Sequence, residues 1–216
     1  MASAASFPSA PVGVVLIGHS YVRRLQDFMN EDSEFFNMGF PHRDANVRSF
    51  ARGGASLRLQ PDDHWINCHL QPALTSSPRP SIVVLHVGEN DLRHLTPPEI
   101  VDHMWALVSY IASVSHPHVI LVSQLLWFLC NEDLHEQITY INTSLQDRIQ
   151  QYTPAQLPGR PLTQVQLLRH QFGIWGASRQ ELFQRDGVHL NNVGLRRYYY
   201  SVRNAVGQQL RHLLQQ

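Results

Sequence analysis

Hydrophobic and polar positions in this chain switch repeatedly between two periods. Val14, Val15, Leu16 and Ile17 form an unbroken apolar run that leads into Gly18-His19-Ser20. A short run of this kind predicts a strand covered on both faces, as in the middle of a parallel sheet. Tyr21, Leu25 and Phe28 follow at helical spacing, so Ser20 is expected at a helix N-terminus, where free N–H groups and the helix dipole favour negative charge. The stretch 29–41 is polar and marked by Gly and Pro, and is expected as a loop. Residues 46–52 alternate with period two, the signature of an outer strand, which Gly53-Gly54-Ala55-Ser56 breaks. A short helix is expected within 57–74, followed by the turn-rich 75–80. Residues 81–87 repeat the buried-strand pattern and end in Gly88-Glu89-Asn90-Asp91.

Thr96-Pro97-Pro98-Glu99 has the capping hydroxyl, early proline and first-turn acid of a helix start. Ile100, Met104, Leu107, Val108, Ile111 and Val114 then mark one helix face. Residues 119–122 predict another buried strand, and Leu134, Ile138, Ile141, Leu145, Ile149 and Tyr152 another amphipathic helix. A last strand is expected at 162–168, irregular chain at 169–188, and a C-terminal helix carrying Leu195, Tyr199, Val202, Val206, Leu210 and Leu213. Buried strands alternating with helices argue for a three-layer α/β/α sandwich around a parallel sheet with right-handed crossovers. Neither repeats nor a linker divide the chain. Residues 1–11 are expected as a flexible N-terminal segment and 12–216 as one domain.

Charge narrows the chemistry. Seventeen basic residues balance seventeen acidic ones, so no net field recruits nucleic acid or an anionic membrane, and neither is an expected partner. All the basic residues are Arg. Without Lys there is no Schiff base, no lysine nucleophile and no P-loop lysine. Cys68 and Cys130, the only two cysteines, make neither a disulfide framework nor a thiolate metal site. The N-terminus lacks the apolar core of a signal peptide, and the longest apolar stretch, 119–130, is too short to cross a bilayer. A soluble, cytoplasmic protein is the expectation.

Polar residues gather at the expected carboxyl ends of strands, where open α/β sheets bind ligands, and in the late loop. They are Ser20, Gly54 with Asn90, and Asp186-Gly187-Val188-His189. Alone, Ser20 reads as a helix N-cap, Asn90 and Gly54 as turn residues, and Asp-x-x-His as a chance surface pair. Together and in this order they supply what nucleophilic acyl transfer needs: a hydroxyl, a base, an acid that orients the base, and oxyanion donors. The three-residue spacing lets the Asp186 carboxylate reach Nδ1 of His189 while Nε2 faces Ser20.

Gly18-His19-Ser20, Gly54, Gly88-Glu89-Asn90-Asp91 and Asp186-Gly187-Val188-His189 resemble the four blocks of the SGNH (GDSL-type) hydrolases. Residues 83–92 and 186–191 also resemble esterase domains encoded by non-LTR retrotransposons. The resemblance spans nearly the whole chain. It implies a flavodoxin-like sheet of order 2-1-3-4-5 and a serine esterase that needs no metal or other cofactor. By matching position, Ser20 is the nucleophile, His189 the base and Asp186 its partner. The backbone N–H groups of Ser20 and Gly54 and the amide of Asn90 form the oxyanion hole. Gly54 is preferred to Gly53 because Ala55-Ser56 after it matches the family's small polar pair. The family usually has Asp before the serine; here it is His19, whose side chain is expected to point away from that of Ser20. A Gly-x-Ser-x-Gly elbow is absent, since Val22 takes the last position.

Other groupings carry less. His64 and Cys68, near Asp62, Asp63 and His69, have helix-compatible ligand spacing, but no second cluster completes a zinc site. Arg196, Arg197 and Arg203 are expected on a solvated helix face. Trp127, Phe128, Phe172 and Trp175 follow expected strands and suit an acyl pocket or core packing equally well. The expected substrate is a small or lipid-like ester. The rival reading is a module of the same fold, catalytically weak, that binds lipid, RNA or protein.

Overall fold

A computed structural model describes residues 10–58, 64–129, 131, 133–154, 162–170 and 180–215. Five strands, β1 (Val12–Gly18), β2 (Ala45–Ala51), β3 (Pro80–His86), β4 (Val119–Ser123) and β5 (Gln164–Leu168), pair in parallel in the order β2-β1-β3-β4-β5. This is the order the family resemblance implies. Five helices flank the sheet: α1 (Ser20–Glu31), α2 (Asn67–Leu74), α3 (Pro97–Ser115), α4 (Asp133–Gln151) and α5 (Asn192–Leu213).

The apolar runs become the central strands because both faces of each need cover. Val15, Ile17, Val83, Leu85, Ile120 and Val122 pack against α2, α3 and α4. Val14, Leu16, Ile82, Val84 and Leu121 pack against α1 and α5 on the other face. Each such side chain contributes about 1.5–3 kcal/mol when fully buried, so the strand ends rest on a rigid floor. The Thr96 capping box starts α3, with its side chain and backbone N–H both bound to Glu99. Of the residues expected on its apolar face, Ile100, Met104, Leu107, Val108 and Ile111 are buried and Val114 is exposed.

Two local expectations change. The stretch 29–41 is not all loop, since α1 runs to Glu31 and a single 3₁₀ turn spans Phe36–Gly39. Asn37 (φ 54°) organises that turn: its amide donates to the carbonyls of Phe40 at 2.8 Å and Ala45 at 3.0 Å, and its Oδ1 accepts from Val47 N–H at 2.8 Å. Arg203 is not simply solvated. It is half-buried, donates to the Met38 carbonyl at 2.9 Å and lies over the Phe40 ring, while Arg196 lies over Phe35. Both arginines clamp α5 to this turn.

Candidate active site

Strand register brings the site together. Gly18 of β1 stands opposite Ala51 of β2 and His86 of β3. Two to four residues beyond this row come Ser20, Gly54 and Asn90. Gly18 is required there: a Cβ would stand 2.2 Å from the His86 carbonyl oxygen and 2.6 Å from Val22. Gly54 has φ +80°, a conformation that side chains disfavour, and Gly53 does not.

Ser20 opens α1, so its N–H has no preceding helical turn to bond. The turn at Gly54 is closed by Ala55 N–H to the Arg52 carbonyl at 3.1 Å, which leaves the Gly54 N–H outside that bond. Asn90 donates one amide hydrogen to the Ala55 carbonyl at 2.8 Å and keeps the other for a ligand. Its neighbour Asp91, fully buried, accepts from Leu57 N–H at 2.9 Å, Arg58 N–H at 3.1 Å and the Ser56 hydroxyl. Asp91 thus fixes the Gly54 loop to the Asn90 segment, a task the motif alone does not reveal.

The late loop carries the pair expected from its spacing. His189 Nδ1 lies 2.8 Å from Asp186 Oδ2, and Asp186 Oδ1 accepts from the N–H groups of Val188 and His189 at 2.9 Å each. Desolvation alone would raise the Asp186 pKa; the His189 side chain and these two N–H groups outweigh it and hold the carboxyl at about 2. Asp186 is therefore anionic, and its contact with Nδ1 leaves Nε2 as the outward nitrogen of His189. Tyr21 ties this loop to α1, donating to the Val188 carbonyl at 2.5 Å, with its ring 6.5 Å from that of His189. Among the described residues, no hydrogen bond joins His189 to Ser20; the Ser20 hydroxyl instead lies 3.4 Å from His19 Nδ1.

That contact corrects the expected direction of His19. Residue alternation holds only within a strand, and β1 ends at Gly18; where the chain turns into α1, His19 serves as N-cap, with Nδ1 accepting from Tyr21 N–H at 3.4 Å. His19 is buried, and its Nε2 lies 2.6 Å from Glu89 Oε2. Glu89 Oε1 meets His86 Nε2 at 2.7 Å and accepts from Leu126 N–H at 3.1 Å. His86 Nδ1 is 2.6 Å from the Tyr198 hydroxyl and 3.1 Å from Ser123 Oγ, which reaches His170 Nε2 at 2.6 Å. This polar chain links the start of α1 to the ends of β3 and β4 and to Tyr198 of α5. Burial holds His86 below the ordinary imidazole value against the pull of Glu89, and holds His170 at about 3. Burial would raise Glu89, but its histidine partners keep it well below the ordinary carboxylate value.

Among the described residues, His19, His86 and Glu89 form the one group whose ligand atoms come within 4.8 Å of one another, and those atoms already bond to each other. His64 precedes α2 in a turn whereas Cys68 lies inside the helix, so the two do not share a helical face. Phe128 is buried in the core, and Trp127 stacks on His135 at 4.6 Å. Residues 1–9, Asp62, Asp63, Cys130, Phe172 and Trp175 lie outside the described residues. An apolar groove of about 460 Å³ between α2 and α3 is lined by Leu57, Trp65, Ile66, Leu70, Leu107 and Tyr110. No described helix is long and apolar enough to cross a membrane.

Solved structures of esterases share this three-layer α/β fold. The chain is similar to a member of the lipolytic protein G-D-S-L family from Veillonella parvula (TM-score 0.64, 14% identity, 88% of this chain and 95% of that one). It is similar to a carbohydrate esterase family 3 protein from Talaromyces cellulolyticus (TM-score 0.61, 14% identity, 93% and 99%). An acetyl esterase variant crystallised with acetate ion gives TM-score 0.61 at 15% identity over 94% and 99%. At these identities the likeness is one of fold. No protein-family model and no curated protein sequence matches the chain.

Proposed function

We propose that the protein is a serine hydrolase that cleaves carboxylic esters through an acyl-enzyme on Ser20. The observation that carries this reading is the Asp186–His189 pair, set at 2.8 Å in the loop that Tyr21 ties to the helix beginning with Ser20. His189, oriented by Asp186, takes the serine proton and later activates water. The tetrahedral intermediate places its oxyanion toward the N–H groups of Ser20 and Gly54 and the free amide hydrogen of Asn90. Similarity in fold to a lipolytic G-D-S-L protein and to carbohydrate and acetyl esterases supports the reading. The likeness to retrotransposon-encoded esterases rests on the sequence blocks alone. The rival module that only binds lipid, RNA or protein does not require an oriented Asp–His pair.

The test is hydrolysis of nitrophenyl esters from acetate to decanoate by wild type and Ser20→Ala, together with fluorophosphonate labelling. Turnover and labelling in wild type, both lost in a folded Ser20→Ala, are expected. Activity unchanged in Ser20→Ala would refute the assignment. No turnover and no label on wild type would favour the binding module.

A further inference from the structure

Ser20 has an imidazole on its buried side, that of His19, with Nδ1 3.4 Å from the serine hydroxyl. We propose that His19, backed by Glu89, is a second proton acceptor for Ser20. The inference rests on the serine-hydrolase reading and adds a catalytic residue to it.

Hydrogen-bond polarity fixes the state of His19. Tyr21 N–H can only donate, so Nδ1 of His19 is bare, and the ring proton sits on Nε2, 2.6 Å from the Glu89 carboxylate. The bare nitrogen is the one 3.4 Å from Ser20 Oγ. Glu89 is anionic and held by three partners, His19, His86 and Leu126 N–H. Carboxylate, imidazole and hydroxyl thus stand in line, as the exposed Asp186–His189 pair would with the same hydroxyl. The side chains of His19 and Glu89 are 1% and 2% exposed, against 27% and 45% for His189 and Asp186. That difference divides the work. His19 can serve only the serine, since substrate and water reach the other side.

In acylation by this route the Ser20 O–H bond breaks and its proton passes to the lone pair of His19 Nδ1, which gives up the Tyr21 N–H bond as it does so, leaving an imidazolium paired with Glu89. The Oγ electron pair forms the bond to the acyl carbon. The expelled alkoxide takes a proton from water at His189. The hydroxide so formed attacks the acyl carbon, and the released Oγ recovers its proton from His19. A fluorophosphonate needs less: the Oγ–P bond forms, fluoride leaves unprotonated, and the proton stays on His19.

His189→Ala should therefore lose ester turnover yet keep Ser20 labelling within about 10²-fold of wild type, because one base remains. Two isosteres then separate base from scaffold. His19→Asn keeps a helix-capping acceptor but loses Glu89, and His19→Gln keeps a donor to Glu89 but loses the acceptor. Each, added to His189→Ala, should cut labelling by about tenfold or more. If His189→Ala labels no faster than Ser20→Ala, or if either double variant labels as fast as His189→Ala, the proposal fails. Thermal melts check folding, and ¹⁵N NMR of wild-type imidazoles gives a reading without mutation. Nδ1 of His19 should be unprotonated, and a proton there overturns the proposal. Wild type labelling no faster than Ser20→Ala would instead refute the hydrolase reading.

Discussion

The chain holds two histidine–carboxylate pairs, one reaching the Ser20 hydroxyl and one in the loop that Tyr21 ties to α1, and they differ in what surrounds them. Asp186–His189 lies in a loop near solvent, built from residues three apart, and the acid's second oxygen is held by backbone N–H groups. His19–Glu89 lies under the sheet ends, joined across seventy positions of sequence, and extends through His86 to Tyr198, Ser123 and His170. The same chemical pairing therefore answers to different forces. Near water an ion pair adds little to folding, so the outer pair is free to serve chemistry. In the interior a broken pair leaves an unpaired polar group at high cost, so the inner pair is bound to stability whatever else it does.

Substitutions should separate the two. Asp186→Asn, which leaves His189 without its anionic orienter, should lower kcat by about 10⁴ while costing only about 1 kcal/mol of stability, since the amide oxygen can still accept from the backbone N–H groups. Steady-state kinetics and calorimetry check this, and a large melting shift would erase the contrast. Glu89→Ala should do the converse first, costing about 3–5 kcal/mol of folding stability because two imidazoles and a backbone N–H lose their acceptor. Urea titration measures it; a loss under 1 kcal/mol would mean that water replaces the carboxylate (~1 kcal/mol is an ordinary substitution). Asn90→Ala should reduce kcat by about 10²–10³, some 3–4 kcal/mol of barrier, with KM little changed. Near-wild-type kcat in a folded Asn90→Ala would remove Asn90 from the oxyanion site.

Acid should distinguish the regions most gently. His86 and His170 have folded values below the ordinary 6.5, so the unfolded chain binds the additional protons. Their contribution is whole above that value and declines as pH falls below 6.5, for His170 down to about 3, by up to about 1.4 kcal/mol per pH unit. Asp186, at about 2 against an ordinary 3.8, loses its contribution as pH falls from 3.8 toward 2. Denaturation midpoints that stay level from pH 7 to 5 would mean the inner histidines are protonated in the folded state.

The outer pair was legible in the sequence and the inner one was not, for a physical reason. Ser20, Gly54, Asn90 and Asp186 to His189 stand where a periodic element ends, and spacing alone sets Asp186 against His189. Strand boundaries and sheet order followed from the apolar runs and the motif blocks. The inner contacts depend on which strands are neighbours: His19 meets Glu89 because β1 lies beside β3, and Ser123 meets His86 because β3 lies beside β4. One signal was present. His86 and Ser123 interrupt or close strands that are otherwise apolar, and a buried polar side chain there needs a partner. His19 was misdirected because the two-residue alternation was carried one step past the end of its strand.

Gly18 makes the gene fragile at one codon. Any side chain at that position strikes the backbone of β3, 2.2 Å away at the His86 carbonyl. Every missense change there would behave as a loss-of-function allele, whatever the polarity or size of the new residue. On the proposed serine-hydrolase reading, a missense change two codons later, at Ser20, would instead leave a folded but inactive protein.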